Sequence, residues 1–595
     1  MTTASPTPTS ASTFTAPTHR QILTILGGLM MGMFLAALDQ TIVATAIRTI
    51  GDDLHGLSLQ AWVTTAYLIT STIATPLYGK LSDIHGRKPY YLAAIALFLI
   101  GSLLCGTATS MYQLAAYRAI QGLGGGGLMS LAITILGDLL SPRERAKYQG
   151  YILAVFGTSS VLGPIIGGFF AGADSVLGIT GWRWIFLVNI PLGLAGLVVI
   201  TKVLHLPPLR RVSHRIDWQG ALTLTMALVP LLVIAEQGRE WGWGSGRALA
   251  LYGTGVLGIV LFLLAERRAK AEALLPLYLF QNRTFSVGAL VNVAIGMGMF
   301  GGLATLPLYL QIAKGMTPTT AGLALLPLTL GIMVGSIVAG QAIAKTGRYK
   351  VFPVSGTFLL VVGAAFLSRL MADSSLVEVS WRSAIFGVGL GFCFQPLVLA
   401  VQNAVPPQDM GVATSSSLFF RQMGGTLGTA VFLSILFSTV GQKIGTAFEA
   451  AGKTAAFQAV VADPAVQADP NNAPVLDMLS GTGKGLSLDD SSFIGRLDPR
   501  LAAPLLDGFT ASVSLVLLVA AIVLVVGFAL SFLLPELPLR QTSGIQTQID
   551  EHDEAVAGAA AAAVAATAVA ATAAAPATDA VDGTEDDAGG ESAAP

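Results

Sequence analysis

Apolar residues fill this chain in long runs, and polar residues fall in short islands between them. Runs near 21–47, 59–80, 90–108, 112–136, 147–172, 184–204, 217–236, 248–265, 285–312, 318–344, 350–369, 380–402, 411–440 and 509–534 are each about long enough to cross a bilayer as helix. In hydrocarbon a single run can satisfy its backbone polar groups only as a helix. The pattern therefore predicts an all-α membrane protein with 14 transmembrane helices.

The islands give an orientation. With the N-terminus inside, the loops after spans 2, 4, 6, 8 and 10, counted with their flanking turns, hold 17 Lys and Arg, and the six short outer loops hold seven. They include Arg143, Arg145 and Lys147, then Arg210, Arg211 and Arg215, then Arg267, Arg268 and Lys270. Positive charge stays on the cytoplasmic side, so both termini are expected there, in the plasma (cell inner) membrane. Losing or gaining one span would swap the sides. Residues 1–18, rich in Ser, Thr and Pro, lack the basic n-region of a signal peptide and read as a disordered start. Residues 441–508 hold no spanning run and read as a long extracytoplasmic loop, a poorly ordered insertion or a partner-binding or lid element. Residues 535–595 read as a disordered Ala-rich tail whose Ala tract is transiently helical.

Composition narrows the class. The chain is 595 residues long, 53% hydrophobic and 11% charged, with a mean hydropathy of +0.69. A soluble protein would carry roughly twice that charged fraction. The net charge of −1 offers no basic field for nucleic acid. Cys105 and Cys393 lie in separate apolar runs and are expected to be free and buried. No metal or cofactor set is visible, and no nucleophile–base constellation marks an enzyme.

Charged residues inside apolar runs are costly and mark function by default. Asp39 stands in Leu38-Asp39-Gln40-Thr41-Ile42-Val43, either as a proton or substrate-cation site or as an interfacial acid before Arg48, Asp52 and Asp53. Arg118 stands in Arg118-Ala119-Ile120-Gln121-Gly122-Leu123-Gly124, with Gln121 on the same helical face, either in coupling or pinning helices through carbonyls. Arg421, beside Gln422, is a second arginine at membrane depth, structural or coupling. Gly163-Pro164-Ile165-Ile166-Gly167-Gly168 bends the fifth span and lets it pack closely. The island Gly79-Lys80-Leu81-Ser82-Asp83-Ile84-His85-Gly86-Arg87-Lys88-Pro89 offers a turn, an acid that can meet a cation or a helix N-terminus, and two inner-side cations.

Together these stretches resemble the motifs of the major facilitator superfamily, and within it the 14-helix drug:proton antiporters. G-x-L-x-D-x-x-G-R-K resembles the loop between helices 2 and 3, L-D-x-T-I-V the helix 1 motif, R-x-x-Q-G-x-G the helix 4 motif and G-P-x-x-G-G the antiporter motif of helix 5. Ile84 and Ser159 depart from the usual basic residue and glycine. The island Gly340–Lys350 is a degenerate repeat of the first, with Lys345 near the place of the acid. The resemblance implies two six-helix bundles, one within 19–204 and the other from 285–440 with the last helix at 509–534, and an inserted pair at 205–284 between them. It implies alternating access around a midplane cavity, proton-driven export of a hydrophobic, cationic compound by a monomer, and no cofactor. Export or flipping of a lipid or a self-made natural product stays open, as does a non-transporting scaffold or sensor. Gly122, Gly124 and Gly127 fit G-x-G-x-x-G without the strand a dinucleotide site needs, and Ser480-Gly481-Thr482-Gly483-Lys484-Gly485 lacks the spacing of a P-loop. Trp182, Arg183, Trp184 and Asn189 read as an interfacial anchor, and Glu236 with Trp241 and Trp243 as an outer aromatic belt. Gln311, Gln395 and Asn403, with Met297, Met299, Phe392 and Phe394, read as cavity or packing residues.

Overall fold

A computed structural model describes residues 19–55, 60–204, 217–480 and 494–573. The expected N-terminal start, the cluster Arg210, Arg211 and Arg215, most of the Ser480–Gly485 stretch and the end of the tail lie outside the described residues. The helices are α1 His19–Asp53, α2 Gln60–His85, α3 Arg87–Thr107, α4 Met111–Leu139, α5 Pro142–Ala171, α6 Trp184–Leu187, α7 Asn189–Val203, α8 Trp218–Trp241, α9 Gly246–Ala269, α10 Arg283–Ile312, α11 Pro318–Ala324, α12 Leu326–Thr346, α13 Val351–Leu367, α14 Leu376–Ala404, α15 Met410–Gly452, α16 Ala455–Val461, α17 Pro464–Ala468, α18 Ala473–Leu479, α19 Pro499–Ser531 and α20 Gly544–Ala573. A two-stranded hairpin, Ser175–Val176 with Ile179–Thr180, precedes α6.

Among the described residues, twelve segments are long and apolar enough to cross a membrane, and α13 is a shorter apolar helix. With α2 they fall where the sequence predicts its 14 spans, so that count is compatible with the structure. Polar residues mark many of the helix starts. Ser110 accepts from the Gln113 N–H, Ser141 and Glu144 form a capping box, and Asn282 accepts from Thr284 and Phe285. Gly86, at φ 98°, breaks the chain sharply between α2 and α3.

Helices α1–α7 pack among themselves, as do α10–α15 with α19. The two sets meet where α5 lies on α12 and α2 lies on α15. The inserted pair α8–α9 packs on itself and against α2 and α15. Leu257, Val260, Leu263, Ile522 and Val526 are exposed on α9 and α19. Water would penalise such faces, whereas lipid is their natural solvent. Cys105 and Cys393 are both free and buried.

Two stretches differ from the sequence expectation. The region 441–508 is not one long loop, because α15 runs on to Gly452 and α19 begins at Pro499. Between them α16–α18 bury Phe457, Val466 and Val475, and Asn472 accepts from the Asp498 N–H while donating to the Val466 carbonyl. Apolar residues spaced through an Ala- and Asp-rich stretch suffice for a small core when α15 and α19 wall it. In the tail, Gly544–Ala573 forms a helix, as high Ala content favours.

Candidate functional site

Asp39 is fully buried in α1. Arg118 of α4 forms an ion pair with its Oδ2. Its Oδ1 accepts from Gln121 Nε2 at 2.8 Å and from Asn189 Nδ2 at 3.0 Å. Gln121 also accepts from Arg118 Nη1 at 2.6 Å and donates to Ser102 at 2.7 Å. Arg118 Nε reaches the Val63 carbonyl at 3.3 Å, and the guanidinium lies over the Tyr67 ring at 4.3 Å. Arg118 and Gln121 share a face because they are three residues apart on one helix. Gly101 and Gly124 let α3 and α4 touch backbone to backbone, since a Cβ at either would meet main-chain atoms at 2.6 Å or less. That approach brings Ser102 onto Gln121. One acid from α1 is thus held by donors from α4 and α7, so three helices meet at a single carboxylate. Gln40, the next residue, is exposed.

Asn189 corrects the sequence reading. It is not an interfacial anchor but a buried ligand of Asp39. Its one legible signal was an amide just inside an apolar run. Trp182 does act at the helix end, donating to Asp53 at 2.8 Å.

The fifth-span motif packs on the same helix. A Cβ at Gly163 would sit 2.1 Å from Thr41 Oγ1, and one at Gly167 would sit 2.9 Å from the Ile42 carbonyl. Thr41 donates to the Ser159 carbonyl at 3.0 Å, so Ser159 joins the contact by its backbone. Pro164 meets the second set at Gly322, whose Cβ would lie 3.4 Å from the ring, and Gly168 faces Thr319.

The island builds a second buried cluster. Arg87 pairs with Asp83, bonds Asp138 at 2.7 Å through Nε, and donates to Ser82 at 2.8 Å. Asp83 accepts the Gly411 and Val412 N–H groups at 3.1 and 2.8 Å. It thereby sits at the N-terminus of α15, where a helix favours negative charge. Gly79 permits this, because a Cβ there would lie 2.8 Å from the Gly411 carbonyl. Lys88 is partly buried and donates to the Thr201 carbonyl at 2.8 Å. Arg145 donates to Gln402, which donates to Thr414 at 2.6 Å. Burial pushes Arg145 down to about 10, against the pull of Asp138, so it stays charged at neutral pH. Tyr278 donates to Asp409 at 2.6 Å, and burial with that bond raises its pKa well above the phenol range. Asp138 and the α15 N-terminus were not singled out in the sequence, since neither belongs to the island.

Arg421 is not brought to either cluster. It lies in α15, half-buried, with its guanidinium over the Phe394 ring at 4.7 Å.

The family model described as Major Facilitator Superfamily matches residues 29–429. The multidrug transporter protein MdtP of Bacillus subtilis is 37% identical over 413 residues, 69% of this chain and 75% of that protein. Multidrug resistance protein 3 of the same organism is 36% identical over 423 residues, 71% of this chain and 81% of that one. Among solved structures, the proton:xylose symporter XylE superposes with a TM-score of 0.51 at 14% identity, covering 87% of this chain and 96% of that one. Helix order, lipid-suited faces and family match agree: this chain belongs to the major facilitator superfamily, and is a multi-pass membrane transporter rather than an enzyme.

Proposed function

We propose that this protein is a proton-coupled efflux transporter of the plasma membrane that exports hydrophobic compounds by alternating access. The similarity to named multidrug transporters supports export. The single observation that carries proton coupling is the buried Asp39 carboxylate held by Arg118, Gln121 and Asn189. A proton arriving at Asp39 removes the charge that holds Arg118, and loosens the tie of α1 to α4 and α7. Discharge restores it. Cargo release and proton entry are then alternative uses of one rearrangement. An inward proton gains about 2.3 kcal/mol per 100 mV.

The Arg87 cluster marks the cytoplasmic end in this reading, as the distribution of Lys and Arg supports. There Asp83 clasps the first helix set to α15 of the second, and must let go when that end opens. The proposed working unit is a single chain.

The test uses proteoliposomes with a pH-sensitive dye trapped inside. Lipophilic compounds added across an imposed proton gradient should release protons with the wild type, and Asp39→Asn should abolish the response in a folded protein. Full export by Asp39→Asn would sink the assignment.

A further inference from the structure

Export leaves the charge of the cargo open, and the two arginines at membrane depth bear on it. The acid that a cationic cargo would need is already engaged. Both Asp39 oxygens are occupied, and none of its surface is exposed. The Asp39–Arg118 pair is neutral as a unit and presents no face to a ligand.

Arg421 is the opposite case. It stands about 16 Å along α15 from Met410, at 1.5 Å per residue, which is near the middle of a hydrocarbon layer about 30 Å thick. Its half-buried side chain has no hydrogen bond and no carboxylate within ion-pair distance among the described residues. Its one described contact is the Phe394 ring of α14. The backbone beneath is fixed, because a Cβ at Gly296 would lie 2.1 Å from the Arg421 carbonyl and one at Gly424 would lie 2.3 Å from that of Val293. α10 and α15 thus meet main chain to main chain here. The neighbouring Gln422 reaches Ser71 of α2 at 3.5 Å, so this part of α15 fronts the first helix set. A guanidinium cannot discharge at physiological pH, and at membrane depth it needs an anion or water. An aromatic face on one side and an unpaired fork on the other suit a ligand with an apolar body and an acidic group.

We propose that Arg421 is the recognition residue for an acidic group, and that the cargo is an amphipathic organic anion bearing a carboxylate, sulfonate or phosphate. This deepens the efflux reading above and rests on it. It replaces the cationic cargo expected from sequence.

The test is binding by the purified full chain in neutral phosphatidylcholine nanodiscs. The probes are 8-anilinonaphthalene-1-sulfonate and the cation tetraphenylphosphonium. Arg421→Gln should weaken sulfonate binding by about tenfold, the loss expected for a charge-assisted contact, and Arg421→Lys by clearly less. Neither substitution should weaken cation binding. Sulfonate affinity indifferent to Arg421→Gln in a protein that still unfolds cooperatively would overturn the proposal. So would wild-type preference for the cation. Competition by added phosphatidylglycerol would assign the anion to a lipid headgroup, and its absence to a soluble acid. The efflux reading fails separately. Arg421-dependent binding without gradient-driven flux would remove transport and keep the site, whereas cation flux lost in Asp39→Asn with Arg421 irrelevant would do the reverse.

Discussion

Arg118 and Arg421 are both arginines inside long apolar helices, yet the structure treats them oppositely. Arg118 is enclosed by a carboxylate, an amide, a backbone carbonyl and an aromatic face. Arg421 has only the aromatic face among the described residues. The difference teaches that a charge at membrane depth is not one kind of signal. A paired charge ties helices together, whereas an unpaired one leaves its donors unsatisfied at a depth where that is costly.

The largest effect on stability should come from Arg118→Gln, which orphans the buried Asp39 charge. A loss of about 3–5 kcal/mol is expected, read as a fall in Tm. Adding Asp39→Asn should recover most of it, because no charge is then left unpaired. A double variant as unstable as the single one would show that Arg118 acts through packing alone.

Asp83→Asn removes one charge from a cluster that keeps its shape. It should cost about 1–2 kcal/mol, seen as faster hydrogen exchange at the Gly411 and Val412 amides. Unchanged exchange would mean that the α15 N-terminus does not depend on the acid. Arg421→Gln should be the mildest, within about 1 kcal/mol of wild type, since it strands no partner. If it destabilised as much as Arg118→Gln, the contrast between the two arginines would collapse.

The two islands make a related contrast. Gly79–Pro89 is held to α15 by the buried Asp83–Arg87–Asp138 cluster. In Gly340–Lys350, Lys345 is exposed and Tyr349 carries the contact, accepting from the Leu537 N–H at 2.9 Å and donating to the Pro535 carbonyl at 3.0 Å. The sequence shows the second island as a weakened copy. It does not show that a neutral phenol has taken over the anchoring, because Tyr349 looks like any interfacial aromatic.

Much of this protein was decided by sequence alone. Lengths of apolar runs set helix positions, since hydrocarbon permits no other conformation for them. Motif spacing put Arg118 beside Gln121, because a helix fixes which residues share a face. Asp39, Arg118 and Asp83 announced themselves because a charge in or beside an apolar run is expensive. Tertiary structure decided the partners. Asn189 joins Asp39 from 150 residues away, and Gly411 meets Asp83 from 328. Spacing along one helix says nothing about such contacts, which depend on how glycine-lined helices close on one another. For the same reason only the fold could separate an arginine with a counter-ion from one without.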